Sequence, residues 1–302
     1  MPNVMSYDPE IAVIGGGLVG MAVAYGLQRI GARVHVYDEG DEAFRASRGN
    51  FGLIWVQGKG ATMPNYARWT RLSAREWREF GDELGYEAGL DLQRQQPGGF
   101  DYCLSESEAH ERVQRLSSLR DALGGDYPFE YLDAAVVRQY VPQIGPQVVG
   151  ATWCPEDGHV NPLYLLRSLH SAFLARGGTI SRAARVERVH WRGDSFAVID
   201  ATGAERVYAR VVLACGHGNA RLAPQVGLHA PVVPSRGQNI ITERLPFQLH
   251  YPSVQIRQVG EGGIQIGDSK EDVGFDDDTT PQVLSAMAAR AARVYPFLAR
   301  AR

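Results

Sequence analysis

The chain has 302 residues, is 44% hydrophobic and 22% charged, and carries a net charge of −3. Those values suit a soluble globular protein of one large domain or two interlocked ones, and give no electrostatic case for nucleic acid or an anionic membrane as partner. No stretch near the N-terminus has a basic region followed by an apolar one, and no apolar run approaches the roughly 20 residues of a membrane helix, so neither a signal peptide nor a membrane span is expected and the location is read as cytoplasmic.

In chain order, Ile11–Ile14 is a short apolar strand running into Gly15-Gly16-Gly17. Leu18 to Ile30 is rich in Ala and Leu and reads as a helix, with Gly31 as its C-cap glycine. Arg33–Tyr37 alternates and is β-branched, so it reads as a second strand, and the three elements make a parallel βαβ unit. From Pro64, the residues Tyr66, Trp69, Leu72, Trp77, Phe80 and Leu84 recur at helical spacing and predict an amphipathic helix. Gly98–Leu104 is a predicted strand; Ser105-Glu106-Ser107-Glu108 fits a capping box opening a helix to about Leu123; Asp133 to Val141 is a short helix. Asn161-Pro162 opens a helix to Arg176. Strands follow at Val186–Trp191, Phe196–Ala201 and Val207–Ala214, the last with an apolar run, Val211 to Ala214, expected to be buried on both faces. Gln238–Thr242 and a hairpin of Val254–Gln258 with Gly263–Gly267 come next, then a helix over Pro281 to Val294.

Gly15-Gly16-Gly17-Leu18-Val19-Gly20 is G-x-G-x-x-G, placed after a strand and opening a helix. Gly15 makes the tight turn, Gly17 admits a pyrophosphate close to the backbone, and Gly20 lets helix and strand pack closely. Free N–H groups and the positive end of the helix dipole at Leu18 and Val19 favour the phosphates. Asp38, followed by Glu39, stands at the end of the second strand, placed to accept a ribose hydroxyl and to repel a 2′-phosphate. This much suits NAD or FAD alike. Beyond Asp38, the chain does not continue into the further βα units of an NAD-dependent dehydrogenase. It passes to a polar, Gly-rich loop at Ala46–Gly52, a long helix and a mixed region, and returns to a strand at Val211–Gly218.

That layout resembles the D-amino-acid oxidase superfamily of FAD-dependent oxidoreductases. Ser47-Arg48-Gly49-Asn50-Phe51-Gly52 is similar to its loop under the flavin. Asp157-Gly158-His159-Val160-Asn161-Pro162 is similar to its D-G-x-x-[DN]-P run before a helix. Val211–Gly216 resembles its second FAD-contacting strand, and Ser235-Arg236-Gly237-Gln238 its R-G-Q strand start. Within the superfamily, the run Ser47 to Gly60 looks most like opine oxidase B subunits and related D-hydroxyproline dehydrogenase subunits. The resemblance implies an α/β fold: a Rossmann-like (GR2-type) FAD-binding domain, 1–85 and 150–230, interleaved with an α+β substrate domain, 86–149 and 231–302, carrying a mixed or antiparallel sheet. It implies FAD as cofactor, with Ser47, Arg48, Gly49, Asn50, Gly52 and Leu53 lining the flavin. Val186 would lie against the adenine, and Ala214 and Gly216 near the ribityl or pyrophosphate groups. It further implies oxidation of the C–N bond of a D-amino acid, opine or hydroxyproline by hydride transfer to flavin (enzyme class 1.4 or 1.5), with a partner subunit. The alternative is a non-catalytic or truncated FAD-binding subunit that needs a partner chain. In the family the chain continues beyond the position of Arg302, so an incomplete substrate domain is expected, with weak FAD binding and poor turnover by this chain alone.

Such chemistry calls for a clamp on the substrate carboxylate and no protein nucleophile. The eight histidines and three cysteines show no metal-ligand spacing, so no metal is expected, and Cys215 reads as a small hydrophobe. Gln255 and Arg257 are two apart in a predicted strand and share a face. If that face is the substrate pocket, Arg257 holds a carboxylate; if it is the other face, Arg257 is a surface arginine.

Overall fold

The computed structural model describes residues 10–40 and 46–302. Most of the N-terminal stretch that lacks a signal-peptide pattern therefore lies outside the described residues. The chain divides into two compact units, residues 1–50, 83–91 and 162–234 in the first, and residues 51–82, 92–161 and 235–302 in the second. The joints differ from the expected ones: 51–82 and 150–161 group with the C-terminal residues, and 86–91 with the N-terminal ones.

The first unit is built on a parallel sheet in the order Arg210–Leu213, Ile11–Ile14, Val34–Tyr37, Thr179–Ser181. Ile11–Ile14 pairs on both edges, and Ala12 and Val13 are wholly buried. The Leu18–Arg29 helix packs on the Pro162–Ala175 helix and buries Met21, Ala24 and Tyr25. A second, antiparallel sheet has the order Glu205–Tyr208, Phe196–Asp200, Val186–Trp191. Its Val186, Val189, Val198 and Tyr208 join Ala12, Ile14 and Tyr37 in one apolar cluster.

Two expectations are corrected here. The strand expected over Val207–Ala214 is two strands. Tyr208 pairs antiparallel with Phe196, while Arg210 pairs parallel with Ile11, so the chain changes sheets at Ala209. The Val211–Ala214 run is half-buried, not buried on both faces: among the described residues Arg210–Leu213 pairs on one side alone, with Ile11–Ile14. Apolar composition here reflects one packed face and one open edge.

In the second unit Gly99–Cys103, Gly150–Cys154 and Glu130–Asp133 form one antiparallel sheet, with Gly150–Cys154 central. Ile240–Ile241, Ile264–Ile266 and Ile256–Gln258 form another, and Leu53–Ile54 pairs with Gly158–His159. Alternation sends Phe100, Tyr102 and Ala151 of the first, and Ile256, Ile264 and Ile266 of the second, into one core with Ala291, Val294 and Tyr295. The Glu106–Ala122 helix is capped by Ser105, whose hydroxyl accepts from Glu108 N–H, and the Ala134–Tyr140 helix by Asp133, which accepts from Val136 N–H.

The Pro64–Ala88 helix forms as expected but turns a different stripe inward. Ala67, Arg71, Ala74, Gly81 and Leu84 are buried, whereas Tyr66, Trp69 and Leu72 are exposed. Small residues at seven-residue spacing, Ala67, Ala74 and Gly81, let the helix approach its neighbours closely; a Cβ on Gly81 would meet Arg94 Cδ at 3.1 Å. Arg71 is tolerated inside because it donates through Nε and Nη2 to both oxygens of Glu156, at 2.9 and 3.1 Å.

Phe100 is fully buried and packs against Trp153, Tyr102 and Tyr251. Phe100→Ala should destabilise the second unit by about 3–5 kcal/mol. Chemical denaturation followed by tryptophan fluorescence should show the midpoint fall accordingly.

Candidate functional site

In the first unit the three parallel strands Ile11–Ile14, Val34–Tyr37 and Arg210–Leu213 end at the same level. There a cavity of about 430 Å³ opens, lined by Gly15, Gly17, Asp38, Val186, Ala214 and Arg221 among others. This is the carboxyl end of a parallel sheet, where such folds bind ligands. Gly15 has φ +112°, and a Cβ on it would lie 2.3 Å from the Ala214 carbonyl oxygen. A Cβ on Gly20 would lie 1.8 Å from the Gly15 carbonyl oxygen. The two glycines are therefore obligatory for the turn and for the seating of the helix.

Of the residues expected to meet the cofactor, Gly15, Gly17, Val19, Asp38, Glu39, Ser47, Val186, Ala214 and Gly216 line this cavity. Leu18 contributes through its backbone, donating to Ser47 Oγ at 2.9 Å, and Gly20 sits buried inside the turn. Arg48, Gly49 and Asn50 are exposed and lie outside the lining, while Gly52 and Leu53 belong to the second unit. Asp38 does more than wait for a ribose: its Oδ2 accepts from Gly16 N–H at 2.8 Å and its Oδ1 from Gly40 N–H at 3.0 Å. The carboxylate braces the glycine turn from the end of the Val34–Tyr37 strand. The Val186 carbonyl is engaged by Arg221 Nη2 at 2.7 Å.

Arg221 and His170 had no signal in the sequence. Arg221 also reaches the Glu187 carboxylate, at 2.9 Å, and fixes the Val186 end of the cavity. His170, on the Pro162–Ala175 helix, is 3.0 Å from the Gly16 carbonyl oxygen through Nε2 and supports the turn from behind. Cys215 lies against Asn219, Sγ to Oδ1 at 2.8 Å, and burial pushes its thiol up to about 11, so it is not a thiolate nucleophile.

The second unit holds a separate cluster of buried polar groups around the Asp157–His159 segment. Asp157 is fully buried; its Oδ1 accepts from Val56 N–H at 2.5 Å and its Oδ2 from the Gln57 amide at 2.8 Å. The Gln57 amide also donates to Gly99 O at 3.1 Å. Tyr127 closes the same segment, donating to Val56 O at 2.7 Å and accepting from Gly58 N–H at 3.0 Å. Burial raises the Asp157 carboxyl to about 7 against the pull of its two donors. Two residues on, burial and the nearby Arg257 lower the His159 imidazole to about 3, so it is neutral at ordinary pH.

Arg257 is 2% exposed, which removes the surface-arginine alternative. Its Nη1 is 3.2 Å from His159 Nδ1, and its guanidinium carbon lies 5.6 Å from the centre of the Phe51 ring. Gln255 is not brought to the same group: it is half-buried, just before the Ile256–Gln258 strand, and donates to Asp268 at 3.2 Å.

The family of sequences described as FAD dependent oxidoreductase matches residues 10–302. The chain belongs to that family. Its cofactor is FAD, and the obligate Gly15–Gly20 cradle fits the dinucleotide half of that molecule. This FAD-dependent oxidoreductase is 39% identical over 300 residues to the opine oxidase B subunit of Agrobacterium tumefaciens (strain Ach5), covering 97% of this chain and 79% of that protein. Among solved structures, glycine oxidase from Geobacillus kaustophilus matches with a TM-score of 0.86 at 22% identity, covering 97% of this chain and 80% of that one. Iminodiacetate oxidase from Chelativorans sp. BNC1 matches with a TM-score of 0.82 at 20% identity, covering 97% and 80%. These two likenesses are of fold. Together the comparisons bear out FAD over a nicotinamide cofactor.

Two outcomes follow from the geometry. Gly20→Ala should separate the helix from the turn, and the purified variant should retain at most about a tenth of the wild-type flavin per chain, read from the visible spectrum. For Asp157, the folded carboxyl binds a proton between its unfolded value of 3.8 and about 7, so its contribution is complete below 3.8 and is lost as pH rises through that window. Asp157→Asn escapes that loss. Its stability relative to wild type should therefore rise by about 3–4 kcal/mol between pH 4 and 7, measured as the difference in thermal midpoints.

Proposed function

We propose that the chain oxidises the C–N bond of an amino acid or secondary amine of the D-amino-acid, opine or hydroxyproline type. The observation that carries this reading is the glycine cradle of an FAD site in a chain 39% identical to a protein named for opine oxidation. FAD, when bound, supplies the two-electron acceptor. The substrate's C–H hydrogen would leave with its electron pair to that acceptor and the nitrogen would release its proton, so that the C–N single bond becomes an imine that water can hydrolyse.

In this reading the first unit is the cofactor unit. Gly15, Gly17, Leu18, Val19 and Gly20 hold the pyrophosphate, Asp38 and Glu39 face the ribose, and Val186, Ala214 and Gly216 line the remainder of the cavity. Ser47, Arg48, Gly49, Asn50, Gly52 and Leu53 are assigned to the flavin. The second unit is the substrate unit, with Arg257 for the acid group; Gln255, which donates to Asp268 and does not meet Arg257, is a further candidate. A reaction of this kind demands orientation and exclusion of water more than it demands a protein acid or base. A buried arginine suits that demand.

The Agrobacterium relative is named as one subunit of an oxidase, which supports a partner chain, and with it the second reading of an FAD-binding subunit without activity of its own. Among the described residues no helix is long and apolar enough to cross a membrane. The three cysteines are unpaired, which supports a cytoplasmic setting.

The test is the visible spectrum of the purified chain before and after anaerobic addition of D-amino acids, hydroxyprolines and opines. Flavin bands that bleach with one of these classes are the expected result. Bands that persist with every substrate would favour the non-catalytic subunit, and a chain that takes up no FAD at all would overturn the reading.

A further inference from the structure

The Pro64–Ala88 helix carries its charges in an order that does not serve the helix itself. From Pro64 to Arg75 it has Arg68, Arg71 and Arg75 and no acid; from Glu76 to Asp82 it has Glu76, Glu79 and Asp82, with Arg78 between them. The helix dipole favours the reverse, acids in the first turn and bases in the last, and neither is present. Arg71 and Arg75 are accounted for by Glu156, and Asp82 by Arg94. Arg68 donates to the neighbouring Asn65 Oδ1 at 3.0 Å, and among the described residues no ion pair takes Arg68, Glu76 or Glu79.

These charges stand beside apolar residues that the fold leaves in solvent. Trp69 is 67% exposed and Leu72 54%, and the exposed Tyr66 ring meets Trp69 edge-on at 6.3 Å. At about 100° per residue, Trp69, Leu72, Glu76 and Glu79 follow one another in steps of three or four along a single outward stripe, opposite the inward Ala67, Ala74 and Gly81. Arg68 and Glu79 are separated by about three whole turns, so they stand on the same flank of that stripe. Along the axis they are about 16 Å apart, too far to meet within one copy. A contiguous aromatic and aliphatic stripe edged with unmatched charge marks an interaction surface.

We infer that this face pairs with the same face of a second copy of the chain, the two helices antiparallel about a twofold axis that passes between Ser73 and Ala74. Antiparallel packing brings like flanks together, so Arg68 of each copy meets Glu79 of the other, twice in the dimer, and Leu72 lies next to the axis opposite its own counterpart. The basic half of each helix then covers the acidic half of the other. A charge order that opposes the dipole of one helix becomes complementary between two, and a face that is its own complement closes at two copies. The strip from Pro64 to Asp82 is about 28 Å long. Such a strip buries on the order of 1,000 Å² in total, near the lower limit of a specific interface, so the dimer dissociates in the micromolar range. This pairing goes beyond the proposed oxidation and does not rest on it.

The experiment is sedimentation velocity of the full purified chain from about 1 to 100 μM, with flavin content and circular dichroism recorded on each sample. Wild type should pass from monomer to dimer across that range. Arg68→Glu should weaken the dimer by about ten- to thirtyfold, by placing two acids at each contact. Glu79→Arg should weaken it equally, by placing two bases there. Mixed in equal amounts, the two variants should associate at wild-type strength, because both contacts in the mixed pair are again between opposite charges. A structural role within one copy would produce no such recovery. Trp69→Ser leaves both charges in place and should weaken the dimer by about a hundredfold, which keeps the test open if a charge variant does not fold. Three results would each overturn the inference. The first is a wild type that stays monomeric at the highest concentration, which leaves the stripe to a different partner. The second is a dimer unmoved by either charge variant, which assigns it to another face. The third is a mixture of the two charge variants that fails to associate.

Discussion

Gly15 N–H donates to the Tyr37 carbonyl at 2.8 Å, Ala214 N–H donates to the Ile14 carbonyl at 2.8 Å, and the Gly15 carbonyl faces Gly20 where a side chain would otherwise stand. Three strands that are far apart in sequence are thereby tied at one level by main-chain groups, and the first helix is drawn onto the same point. Everything else in the first unit is arranged around this tie. Asp38 reaches back to Gly16, and His170 reaches Gly16 from the opposite side. Below them, His35 is bonded through its two ring nitrogens to Tyr208 and Ser181, at 2.6 and 2.8 Å, joining the parallel sheet to the antiparallel one. The result is a rigid lip for a ligand whose own contacts are mostly with backbone.

The second unit solves a different problem. Its Leu53–Ile54 and Gly158–His159 strands are two residues each, too short to fix the chain by ladder bonds alone. Side chains do the fixing: Asp157, Gln57 and Tyr127 hold the Val56–Gly58 backbone from both sides. A buried carboxyl is an expensive brace, as its raised affinity for protons shows, and it is retained where two N–H donors would otherwise be left unmet. Close packing then leaves no slack. A Cβ on Gly99 would meet Trp55 at 2.5 Å and the Asp157 side chain at 2.9 Å.

Elements whose signals are local were legible in the sequence. The βαβ unit is written in contiguous residues: an apolar strand, a glycine turn at fixed spacing, a helix closed by Gly31, and an acid at Asp38. The capping residues Ser105 and Asp133 mark their helices for the same reason. What could not be read depends on distant partners. Thr179–Ser181 is a strand because Val34–Tyr37 offers it an edge, and nothing in three residues announces that. The change of sheet at Ala209 hides inside a mostly apolar run that only Arg210 interrupts. On the Pro64–Ala88 helix the large residues Tyr66, Trp69 and Leu72 draw the eye, yet small Ala67, Ala74 and Gly81 face inward, because close approach outweighs side-chain size at that contact. The residues that line the cavity of the first unit were mostly visible, since a motif carries them. Arg221 and His170 were not, since each is a single residue on a helix face. Arg257 was visible as a candidate, and its burial removes the surface alternative that the sequence left open.

The bond between Arg257 and His159 has a consequence for the imidazole itself. A guanidinium has no lone pair to offer, so at this contact it can only donate, and His159 Nδ1 must be the nitrogen that accepts. With the ring neutral, its one hydrogen is therefore on Nε2. The arginine thus selects a single tautomer of a buried histidine, and the two ring nitrogens become chemically distinct reporters. Nδ1 answers to any change in the charge of Arg257, while Nε2 carries the exchangeable proton. Magnetic resonance of the ring nitrogens would see that asymmetry directly, without cofactor or turnover.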